Sequence, residues 1–135
     1  MGVQVPVELK LLVVAVIIGF VQIVWAAVAG GGGDRNFAWL AGPRDEVKPV
    51  GVVAARLDRA LKNFLETFPL FAAALLACAA AGKLGTGHTI YGAAAYVVGR
   101  ALYVPLYALG TPMLRTLVWF VSILGIVAIL IAFFR

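Results

Sequence analysis

Two stretches of this chain are suited only to an apolar medium. Leu11 to Gly30 is a run of twenty positions whose only clearly polar side chain is Gln22, and Thr116 to Phe134 is a run of nineteen in which only Thr116 and Ser122 are polar. At about 1.5 Å of rise per residue, either run as a helix crosses roughly 30 Å of hydrocarbon. Two further apolar stretches lie between them, Thr67 to Gly82 and Thr89 to Gly110, the second interrupted by Arg100. A backbone in lipid must satisfy its own hydrogen bonds. The pattern therefore predicts an all-α integral membrane protein, a four-helix bundle forming one domain over residues 1–135, with spans at about 7–30, 54–82, 89–110 and 112–134. The composition agrees, since 64% of residues are hydrophobic, 13% are charged and the mean hydropathy is +1.05.

The rival for the first run is a cleaved signal peptide, because Ala27-Val28-Ala29 has the small-residue form of a cleavage site. The run is longer than a usual signal core, and only Lys10, beside Glu8, precedes it, so we read it as a span. The single cysteine, Cys78, excludes an intrachain disulfide and a metal cluster and reads as a small packed hydrophobe.

A net charge of +5 could suggest nucleic acid, but the basic residues do not form a soluble patch with interleaved aromatics. They sort by membrane side. Arg35, Arg44, Lys48 and Arg56 follow the first span and Arg115 follows the third, whereas Lys10, Lys83 and Arg135 share the other side. The positive-inside rule then places the long first loop in the cytoplasm and both termini opposite. His88 falls in the short outer turn Gly82 to Gly87 and its surroundings, and is expected as an exposed loop residue; Thr111-Pro112 reads as an N-cap followed by a first-turn proline, so that the last helix starts there. Arg115 then lies near that helix's N-terminus, where the dipole disfavours a cation. No P-loop, GxGxxG after a strand or HExxH is present.

The polar residues at membrane depth are the informative ones. Arg59, Asn63 and Glu66 recur at i, i+4, i+7 and share one helical face, just before an apolar segment of sixteen residues, Thr67 to Gly82. That segment is about 24 Å long as a helix, short of a full crossing, so the polar turns sit at the inner interface; Pro69 adds an expected local break. Arg100, Tyr103 and Tyr107 recur at i, i+3, i+7 on the returning helix, at comparable depth to Glu66, and a Glu66–Arg100 ion pair is expected. Taken singly, the tyrosines suit an interfacial belt, Lys62 a snorkelling side chain and Arg115 a headgroup anchor. Together the guanidinium, amide, carboxylate and phenol groups suit a small zwitterionic ligand, with an apolar second substrate entering from the lipid.

The run Arg59-Ala60-x-x-Asn63-x-x-Glu66-x-x-Pro69-Leu70-Phe71, with Arg100-x-x-Tyr103-x-x-x-Tyr107 and Pro112-x-x-Arg115, resembles the MAPEG family, the membrane-associated proteins in eicosanoid and glutathione metabolism. The resemblance extends over all four helices. It implies a homotrimer of four-helix subunits that binds glutathione at subunit interfaces near the cytoplasmic side and acts as a transferase, peroxidase or isomerase. It also implies that Arg59, Asn63, Glu66, Arg100, Tyr103 and Tyr107 are glutathione ligands, that Arg115 holds the glutathione thiolate, and that Arg35 is the basic ligand following the first helix. Leu61 stands where some members place a polar side chain, Thr67 where some place a tyrosine, and Thr116 where one subgroup has serine. The function expected on these grounds is glutathione-dependent conjugation or reduction of lipophilic electrophiles, the homotrimer and membrane lipids being the partners and no nucleic acid or metal being involved. The alternatives are a non-catalytic member binding a lipid or peptide-like ligand, and a small transporter, which the lack of an inverted repeat disfavours.

Overall fold

The computed structural model describes residues 2–31 and 36–135. Among them five helices follow one another: α1 (Val7–Gly30), α2 (Phe37–Ala41), α3 (Val52–Ala80), α4 (Gly87–Leu109) and α5 (Pro112–Phe134). Four are long and apolar enough to cross a membrane, all but the five-residue α2. The protein is an all-α, multi-pass membrane bundle.

Its interior is narrow because small residues let the helices approach. On α1 only Glu8, Ala15, Gly19 and Gln22 are buried, one stripe of an otherwise outward-facing apolar helix. On α3 the buried positions Leu57, Ala60, Phe64, Thr67, Phe71, Ala74 and Cys78 step by three and four, the spacing of a single helical face. Outward positions are as apolar as the core, including Phe20, Leu70, Val98 and Leu124, as expected where lipid is the solvent. At the centre Phe71 stacks on Tyr96 with ring centroids 4.1 Å apart, and the Tyr96 hydroxyl meets the Thr67 hydroxyl at 3.0 Å. Thr67 therefore belongs to the core.

The tightest crossing joins α4 to α5. A Cβ on Gly125 would lie 2.5 Å from the Gly92 carbonyl oxygen, and one on Gly92 would lie 2.7 Å from the Gly125 carbonyl. Backbone rests on backbone here, so Gly125→Ala is expected to push the helices apart and cost about 1–3 kcal/mol as an overpacked site. A fall in the detergent-solution melting temperature checks this; an unchanged midpoint would contradict the packing.

Side chains from elsewhere in the fold close the helix ends. Glu8, buried on α1, accepts from the Gly85 amide and from the Thr89 hydroxyl (2.7 Å), placing a carboxylate at the start of α4. Lys83 donates to the Phe133 carbonyl near the end of α5. One boundary expectation and one capping expectation are corrected, while α5 starts at Pro112 as expected. The Thr86 hydroxyl accepts from the Thr89 amide in a reciprocal capping box, so α4 begins at Gly87 and His88 is an exposed residue of its first turn, not of the loop. The Thr111 hydroxyl donates backwards to Leu106 (3.0 Å) and leaves the α5 amides uncapped, while Pro112 does occupy the first turn. α3 runs through Pro69 without interruption.

Candidate functional site

One end of α3 and the adjoining turn between α4 and α5 gather the polar groups. Arg59, Asn63 and Glu66 share a face of α3, with Arg59 and Glu66 exposed and Asn63 half-buried. From α4 come Tyr103 and Tyr107, whose rings meet edge to face with centroids 5.6 Å apart. Arg59 Nε donates to the Tyr107 hydroxyl at 3.1 Å, and the Arg115 guanidinium lies 4.4 Å from the Tyr107 ring centroid. Tyr107 thus carries a cation on α3 at its hydroxyl and one from α5 over its ring, a favourable arrangement for a quadrupole beside lipid. Asn63, Tyr103, Tyr107, Arg115, Thr116 and Trp119 line a cavity of about 210 Å³.

Arg100 does not lie on this cavity wall. It has no exposed surface, and its Nη1 donates to Asn63 Oδ1 at 2.8 Å while its guanidinium stacks 4.2 Å from the Tyr103 ring centroid. It fixes Asn63 from behind. Its Nε and Nη2 have no hydrogen-bond partner among the described residues. The expected Glu66–Arg100 ion pair is corrected: among the described residues the pairs are Lys48–Glu46 and Lys62–Asp58, and Glu66 is exposed. Arg100 turns inward toward the Asn63 amide, whereas Glu66, three residues further along α3, stays exposed. Arg35 lies outside the described residues.

Trp119 is the wall residue that the sequence reading missed. It falls four residues after Arg115, so the i, i+4 rule places it on the same face, a signal that was available. Thr116 also lines the cavity, but its hydroxyl donates to the Pro112 carbonyl at 2.8 Å and is committed there. No group of three or more potential metal ligands occurs among the described residues.

The four long helices define an integral membrane bundle, with an arginine- and tyrosine-lined cavity at one end. Residues 11–135 match the model of the MAPEG family, and the chain belongs to that family. No curated protein and no solved structure matches it.

Proposed function

We propose that the protein is a membrane-bound glutathione transferase or peroxidase acting on lipophilic electrophiles, with glutathione as co-substrate. The observation that carries this reading is the convergence of Arg115, Tyr107, Tyr103 and Asn63 on one cavity, with no carboxylate on its wall. A guanidinium without a paired acid favours an anion, and a nearby cation favours a thiolate over a thiol. Asn63 and the tyrosine hydroxyls supply neutral hydrogen bonds, and Arg59 suits a carboxylate of the tripeptide. Arg100 serves the ligand by holding Asn63 and Tyr103, and Arg35 completes the basic set. The thiolate then attacks an electrophilic carbon with departure of its leaving group, or a peroxide oxygen with cleavage of the O–O bond.

Glu66 supports a homotrimer. An exposed carboxylate at membrane depth calls for a polar partner beyond its own subunit, either a neighbouring chain or the ligand's ammonium group. The basic residues at this end of the bundle, Arg35, Arg44, Lys48, Arg56 and Arg115 against Lys10, Lys83 and Arg135 at the other, support a cytoplasmic side for the segment between α1 and α3, with both termini opposite.

Calorimetric titration of the detergent-purified protein with glutathione, and separately with an S-alkyl glutathione, tests the reading. Saturable binding of both is expected, tighter for the conjugate because its alkyl group stays in an apolar surround. Absence of binding by either ligand would favour a family member without catalysis.

A further inference from the structure

Arg56 contributes to the sequence reading only as one more positive charge on the loop side. In the fold its half-buried guanidinium reaches from α3 to the far end of α4, where Nη1 donates to the Ala108 carbonyl at 3.1 Å. Ala108 belongs to the last turn of α4, where the Leu106 and Tyr107 carbonyls accept from the closing turn, the Ala108 carbonyl accepts from Arg56, and the helix dipole attracts a cation. Gly110 closes the helix with φ +74°, and a Cβ on it would lie 2.9 Å from Arg56 Nη1 and 3.0 Å from both Cζ and Nη2. The guanidinium therefore rests directly on the turn, in space that only a glycine leaves open.

That turn separates the two halves of a key contact. Tyr107 lies just before it and Arg115 five residues after Gly110, yet the Arg115 guanidinium must come back to within 4.4 Å of the Tyr107 ring centroid. The Thr111 hydroxyl is bonded back to Leu106 and Pro112 fixes the first backbone angle of α5, so little freedom remains between the turn and Arg115. We propose that Arg56 is a positioning residue for Arg115: seated on the Ala108 carbonyl and against Gly110, it sets the turn from which α5 starts and so the place of the Arg115 guanidinium over Tyr107. The catalytic consequence rests on the glutathione reading above, but the positioning does not.

Two measurements on the detergent-purified protein separate these. Labelling of Arg115 by phenylglyoxal, followed by peptide mass spectrometry, reads its placement without any substrate; turnover of a lipophilic electrophile with glutathione reads the consequence. Arg56→Ala is expected to raise the Arg115 labelling rate and to lower kcat on the order of tenfold, the scale of a misplaced catalytic group, with KM for glutathione changing less than about threefold. Arg56→Lys keeps a cation that can donate to a carbonyl and should recover most of the loss. Gly110→Ala should move both readouts in the same direction, since its Cβ meets the guanidinium and its φ of +74° strains any side chain, so the turn is displaced by either route. If Arg56→Ala does not accumulate as folded protein, the lysine and Gly110 variants decide the matter by the same two readouts. Parental labelling and turnover in the folded variants would overturn the proposal. Altered labelling in a protein whose parent shows no turnover with glutathione would uphold the positioning and overturn the glutathione reading instead.

Discussion

Replacing Arg115 by alanine is expected to lower conjugation of a lipophilic electrophile by about 10²–10³-fold, the usual loss on removing one preorganised group that stabilises developing or resident negative charge. Glutathione affinity should change only modestly. Arg59, Asn63 and Glu66 stay in place on α3, and the contact that disappears is the guanidinium over the Tyr107 ring. Difference absorbance of the bound thiolate in the ultraviolet should shrink at neutral pH, because the remaining site favours the charged sulfur less. Parental turnover with an unchanged thiolate signal would make Arg115 a phospholipid-headgroup anchor.

The second large effect concerns stability, and it follows from Arg100 pairing with Asn63 in place of the expected ion pair with Glu66. An ion pair between Glu66 and Arg100 would have made Glu66 the residue the fold needs. With the Arg100 guanidinium fully buried and donating to Asn63 Oδ1, Asn63→Ala removes its hydrogen-bond acceptor and leaves a buried charge without one among the described residues. That should cost about 2–3 kcal/mol or more, since a hydrogen bond to a charged group is lost and the desolvated cation is left uncompensated. Glu66→Ala should leave the folded subunit near its parental stability and weaken ligand binding instead. Thermal unfolding of the two variants in the same detergent settles the order; a larger loss for Glu66→Ala would restore the ion-pair view.

The elements that were legible in the sequence are those set by periodicity. Four apolar segments in lipid have no option but helices, and the i, i+4, i+7 spacing of Arg59, Asn63 and Glu66 fixes a common face whatever the tertiary packing. Tyr103 and Tyr107 were visible for the same reason. What spacing does not encode is the direction a long side chain takes once its backbone is placed. Arg100 and Glu66 stand at similar depths on adjacent helices, but similar depth does not make them face each other, and Arg100 takes the nearer amide. The ends of helices were misread where two residues competed for one role: Thr86 caps α4 through Thr89, which draws His88 into the helix, and Thr111 turns back to α4 instead of capping α5. Arg56 was illegible because its partners, Ala108 and Gly110, are defined only by the fold: a backbone carbonyl and a missing side chain.

The glycine crossing of α4 and α5 bears on how a ligand enters. Where two backbones touch at Gly92 and Gly125 with no side chain between them, the helices have nothing to slide on and behave as one rigid jaw. That jaw carries Tyr103, Tyr107, Arg115, Thr116 and Trp119, whereas α3 carries Asn63 and Arg59 as the opposing jaw. Widening the cavity would then require one jaw to swing against the other, with the Arg59–Tyr107, Arg56–Ala108 and Arg100–Asn63 hydrogen bonds among the latches that must give.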